Sequence, residues 1–137
     1  MLLFYGATSF LVAVILSVVF QLAHCGAHAT FPTLSRDGDV PTSWAIHEVE
    51  STADFARRSR LLTWYLGGLN FQIEHHLFPR MCHVHYPKVA AIVQTVCREL
   101  GVRYTSHATL GEALASHGRW LRRMGRAPES ALLAIAG

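Results

Sequence analysis

Apolar positions run almost without interruption from Leu2 to Ala23, a stretch of 22 residues in which only Thr8, Ser9, Ser17 and Gln21 are clearly polar. A helix needs about 20 mostly apolar residues to cross roughly 30 Å of hydrocarbon, so the run predicts a membrane-spanning helix. A core helix of a globular domain carries a polar stripe, and this run has none. A signal peptide begins with basic residues, whereas the first charged side chain here is Arg36.

Beyond the span the pattern shortens. Residues 31–41 carry Pro32, Gly38 and Pro41 among polar residues and predict a loop. Ser43–Ser51 fits a short helix or a strand equally. Asp54 is expected to cap a charged approach bearing Arg57, Arg58 and Arg60 near the lipid surface. Leu61–Phe71 is apolar but too short to span, and Trp64 and Tyr65 suit a membrane interface. The expectation is an interfacial element over 61–80, stopped at Leu77-Phe78-Pro79 because proline disfavours helix in the residue before it.

Pro87 fits a first helical turn and leads into Val89, Ile92, Val93, Val96 and Leu100 at helical spacing, with Gly101 as terminator. Val102–Tyr104 reads as a short extended piece. Thr109 and Glu112 have capping-box spacing and open a last helix to Met124, followed by a frayed tail. The Val and Leu stripes of these two helices read as core. The expected architecture is all-α: a transmembrane helix over 1–23, a connecting segment over 24–60, an interfacial helix over 61–80, a cytosolic helical cap over 81–124 and a tail over 125–137.

Composition sharpens this picture. The net charge of +3 is modest, and all 12 Lys and Arg lie at or after Arg36. The positive-inside rule therefore predicts a cytosolic location for everything after the span. Basic residues do not alternate with aromatics in a stripe, which argues against a nucleic-acid partner. Cys25, Cys82 and Cys97 have no metal-site or disulfide spacing and read as reduced, buried thiols.

The candidate chemistry is carried by histidine. Gln72, His75 and His76 stand at i, i+3 and i+4, so a helical segment brings their side chains together. His24 and His28 stand where the span meets water, a costly place for ionisable groups and one that usually signals function. Neutral imidazole suits iron, copper and zinc. Asn70 and Glu74 fit either a supporting shell around such a site or a solvated face. The roles of His28, His47, His83 and His85 stay open. H-E-x-x-H is absent, which removes the general-base arrangement of a zinc protease.

Read together, Trp64–Pro79 (WYLGGLNFQIEHHLFP), Cys82–Val89 (CHVHYPKV) and His24 resemble the membrane fatty acid desaturases, in the acyl-lipid and front-end branch whose third histidine box is Q-x-x-H-H. The resemblance covers roughly residues 1–110. It implies a di-iron centre beneath a four-helix membrane bundle, O2 as oxidant, a fatty acyl substrate in membrane lipid, and electrons from a donor such as cytochrome b5 or a ferredoxin. It implies His24, His75 and His76 as iron ligands, and Gln72 as a weak ligand or a group that orients one.

Two earlier boxes, H-x-x-x-H and H-x-x-H-H, are not represented as such. His24-x-x-x-His28 has the first spacing but follows the span. The resemblance therefore implies a C-terminal portion of a desaturase, expected to be inactive without a missing N-terminal half. A related membrane hydroxylase and a non-catalytic single-span protein are the alternatives.

Overall fold

The computed structural model describes residues 1–27 and 43–126. The expectations for His28, for the 31–41 loop and for the tail beyond Arg126 fall outside these residues. The described chain is mostly helical. Helix α1 (Leu2–His24) is followed by α2 (Trp44–Ser51), a two-residue strand β1 (Asp54–Phe55), α3 (Arg60–Tyr65) and α4 (Gln72–Leu77). A 3-10 turn (His83–His85), α5 (Tyr86–Leu100), β2 (Ser106–His107) and α6 (Leu110–Met124) complete it.

Helix α1 has 23 residues, about 34 Å at the standard rise, and is long and apolar enough to cross a membrane. Only its C-terminal end is buried: Val19 and Leu22 pack with Phe55, Ala56 and Ala113. Three polar contacts fasten this end to the rest of the chain. Ala53 N donates to Ala23 O at 2.9 Å, Ala27 N to Ser116 Oγ at 3.1 Å, and His117 Nδ1 to Cys25 O at 2.6 Å.

Segment 43–51 resolves to helix. The single element expected over 61–80 is instead two short helices. Gly67 and Gly68 separate them with φ of +58° and +82°, a left-handed conformation that an L side chain adopts at a cost. A Cβ on Gly68 would stand 2.7 Å from His83 Cβ, so the turn also allows the 3-10 segment to approach. Asp54 does not cap a helix of its own. Ser59 caps α3 by accepting from Leu62 N, while Asp54 is fully buried in β1.

Strand β1 pairs in parallel with β2, Asp54 against Ser106 and Phe55 against His107. The extended pairing thus falls two residues later than Val102–Tyr104. Pro87 lies in the first turn of α5, and Gly101 ends that helix at φ +69°. Thr109 Oγ1 accepts from Glu112 N, as the capping box requires, while Glu112 Oε2 takes the N–H of Ala108.

A second cluster, Val49, Ile73, Val93 and Cys97, joins α2, α4 and α5. The α5 stripe divides. Val93 is buried, but Ile92, Val96 and Leu100 are exposed, lining an apolar groove of about 370 Å³ with Trp44 and Phe78. The cysteines are all free, yet only Cys97 is buried; Cys82 is exposed.

Candidate metal centre

Helix α4 carries the histidine pair, and its start is set by buried polar anchors. Asp54 Oδ1 accepts from Ile73 N at 3.1 Å, satisfying an otherwise unpaired first-turn donor. Asn70 Nδ2 donates to Phe55 O at 3.2 Å and to Thr63 Oγ1 at 3.0 Å, tying the preceding turn to β1 and α3. Ile73 points into the core cluster beneath, so the Gln72/His76 edge of the helix is left facing the end of α1.

There the last residue of α1 meets it. The His24 and His76 rings lie 5.1 Å apart, centroid to centroid, at 69°. Gln72 Nε2 stands 3.1 Å from His76 Nε2 and 3.5 Å from His24 Nε2. The amide nitrogen carries two protons, enough for one to each ring, an arrangement that requires an unprotonated Nε2 on both imidazoles. Gln72 is itself 1% exposed, and its Oε1 has no hydrogen-bond partner.

His75 stands beside this trio. Its ring is 5.8 Å from that of His76, and its Nδ1 lies 3.3 Å from the Tyr86 hydroxyl. Burial and the neighbouring His76 lower its pKa, which keeps the ring neutral and able to ligate. Helical spacing predicts that Gln72, His75 and His76 converge; the structure joins Gln72 to His76, while His75, a residue earlier on the helix, turns toward Tyr86 of α5.

Asn70 and Glu74 are both fully buried, which excludes the solvated reading. Glu74 faces Asp54 and Tyr104 in place of the histidines, with Tyr104 Oη 3.0 Å from Glu74 Oε1. Tyr104 also donates to Asp54 Oδ2 at 2.5 Å. Burial, followed by the Asp54 charge, pushes the Glu74 carboxyl up to about 8. A hydroxyl has one proton, so a protonated Glu74 is the arrangement that lets Tyr104 serve both acids.

His83 and His85 lie exposed on the 3-10 turn and His47 is half-buried on α2. Besides the tyrosines, the site contains Glu48, which the sequence pattern does not single out. Glu48 Oε2 lies 2.7 Å from His76 Nδ1. No local pattern marks it: Glu48 stands next to the buried Val49 on α2, and its partner is set by the packing of α2 against α4.

Among the described residues no three His, Cys, Asp or Glu side chains are close enough together to hold a metal ion by themselves. The donors that do converge nevertheless fit part of a histidine-rich centre. Two imidazole nitrogens face one amide, and the buried oxygen of that amide lacks a partner.

Residues 1–108 match the family model for fatty acid desaturases. The chain belongs to the fatty acid desaturase family. It is 47% identical over 114 residues to the sn-1 linoleoyl-lipid 6-desaturase of Arthrospira platensis, a match covering 82% of this chain and 30% of that protein. It is 41% identical over 121 residues to the acyl-lipid (8-3)-desaturase of Physcomitrium patens, covering 88% of this chain and 25% of the relative. The chain therefore spans about a third or less of the relatives it matches. No solved structure matches it. The family is one of membrane-bound oxidoreductases of lipid metabolism, with iron as the family cofactor.

Proposed function

We propose that this chain supplies the last part of an acyl-lipid desaturase: the final spanning helix, the third histidine box and the cytosolic cap. The observation that carries the reading is the meeting of His24, Gln72 and His76, which are 48 and 52 residues apart in pairs with His24 yet share one point in space. His24, His75 and His76 are the proposed iron ligands. Gln72 orients them or binds weakly in their company. Bound iron, with O2 and two electrons, supplies the oxidising power needed to take two hydrogens from an unactivated acyl chain.

The chain's own residues do the positioning. Val19 and Leu22 lock the end of α1 against β1. Asp54 and Asn70 then fix the start of α4, so that imidazoles from two elements are held ready before metal arrives. Helix α3 exposes Leu61, Trp64 and Tyr65, the residue types that settle at a lipid–water boundary. With the basic residues after the span on the cytosolic side, the site lies just beneath the membrane and within reach of a membrane-lipid acyl chain and a soluble or membrane-bound electron donor.

The present ligand set is partial, so the proposed activity requires further histidines from additional polypeptide. Co-expression with the portion of the Arthrospira platensis relative that the match leaves uncovered tests this. The expected result is an assembly that retains iron and adds a double bond to a lipid acyl chain, while the chain alone does neither. A verified assembly without iron or new double bonds overturns the reading. So does a chain that desaturates unaided.

A further inference from the structure

We propose that Glu48 is a positioning residue for this centre, holding His76 in the Nδ1–H tautomer so that its Nε2 lone pair points at Gln72 and His24. An ionised carboxylate only accepts hydrogen bonds, so at 2.7 Å from Glu48 Oε2 the Nδ1 of His76 must carry the proton. A neutral imidazole has one such proton, which leaves Nε2 bare. An independent contact on the other side of the ring agrees: Nε2 lies 3.1 Å from the Gln72 amide nitrogen, a donor.

Glu48 is not a loose surface partner. It sits in the middle of α2, and its carbonyl receives the Thr52 hydroxyl at the end of that helix. The next residue, Val49, is buried against Ile73 of α4, the helix that bears His76. Both carboxylate and ring are half-buried, with side-chain exposures of 19% and 31%. An ordinary exposed ion pair of this kind contributes little to stability. A carboxylate behind a ligating imidazole has a different role, since it sets which nitrogen is free and how basic it is.

The consequence for metal binding rests on the proposed function above, but the tautomer does not, and the experiment reads the tautomer. The full chain, labelled with 15N-histidine in detergent micelles at pH 9, is studied by long-range 1H–15N correlation, with His76 assigned by its loss in His76→Asn. Wild type is expected to show His76 as Nδ1–H. Glu48→Ala is expected to shift that ratio about tenfold toward Nε2–H, the scale of a hydrogen bond to a charged group. Glu48→Gln keeps an acceptor oxygen and should preserve Nδ1–H.

A wild-type His76 found as Nε2–H overturns the inference, as does a tautomer unchanged in folded Glu48→Ala. If Glu48→Ala loses its helical circular dichroism, wild type and Glu48→Gln decide between them. In the co-expressed assembly, Glu48→Ala should lower iron affinity about 10- to 100-fold. An assembly that binds no iron at all counts against the desaturase reading and leaves the tautomer result standing.

Discussion

The first two-thirds of α1 and the segment from Thr52 to Glu74 are built on opposite rules. In α1 the large apolar side chains are outside: Leu3 is 91% exposed and Phe10 72%. In the second segment polar side chains are inside: Thr52, Asp54, Asn70, Gln72 and Glu74 are all at 1% or less. Neither arrangement suits a water-soluble domain. An apolar cylinder is at home in hydrocarbon, where its backbone is satisfied internally. A polar interior is costly wherever a group lacks a partner, as Asn70 Oδ1, Gln72 Oε1 and Glu74 Oε2 do here, while the remaining contacts of these groups fix two helices at one point. The difference teaches that α1 and the histidine cluster are not separate modules. Val19 and Leu22 end the first and brace the second.

The contrast breaks most severely if a charge enters the apolar region. Val12→Arg, near the middle of α1, should cost about 3 kcal/mol of membrane insertion. Glycosylation-site mapping of the inserted fraction in microsomes checks it; unchanged insertion would mean α1 does not span. The mirror-image change removes a polar anchor from the interior. Asp54→Ala strands Ile73 N, leaves the Tyr104 hydroxyl with Glu74 as its one acidic partner and takes away the carboxylate 3.9 Å from Arg57 Nε. It should cost about 2–3 kcal/mol, read as a lowered thermal midpoint in micelles.

How much of this was legible beforehand follows from the same contrast. The span needs only composition, and Gly101, Pro87 and Thr109 announce themselves because each acts through its own backbone or its nearest neighbours. The meeting of Gln72 with His76 follows from helical spacing. What escaped is everything set by distant partners. Asp54 looked like a surface cap, but residues 19 and 50 positions away make it a buried anchor. Glu48 had no local pattern to betray it, because its partner lies 28 residues on. The division of 61–80 into two helices rests on Gly67 and Gly68, whose left-handed backbone breaks an otherwise continuous apolar run. The outward half of the α5 stripe could not be distinguished from core by periodicity, which records a face and not what covers it.

The acid cluster gives the comparison a pH dependence. Folding raises the Glu74 carboxyl from an ordinary 4.5 to about 8. Between those values the folded chain holds a proton that the unfolded chain has released, so stability falls as pH rises through that window and levels off above it. Below pH 4.5 both states are protonated and this group contributes no slope. Denaturation midpoints measured from pH 5 to 8.5 should therefore decline, and Glu74→Gln, neutral throughout, should flatten the decline. A wild-type stability that climbs across the same range would show that Glu74 is ionised in the fold.

The gentlest test acts on the turn between the two short helices. Gly68→Ala meets two obstacles: a φ of +82°, and a Cβ 2.7 Å from His83 Cβ and 3.2 Å from Tyr86 Cδ2. The left-handed conformation alone costs about 1–2 kcal/mol for a residue with a side chain. The contact adds to it unless the 3-10 turn gives way. Tyr86 is the residue whose hydroxyl reaches His75 Nδ1 at 3.3 Å, so any retreat of this segment is transmitted to the histidine pair. Gly67→Ala is the control, since its φ of +58° imposes the same backbone cost while its Cβ meets nothing within 4 Å. If Gly68→Ala lowers the thermal midpoint further than Gly67→Ala and also shifts the His75 ring resonances, the turn holds the site through the 3-10 segment. Equal losses in the two variants, with His75 unmoved, would make the turn a backbone device only.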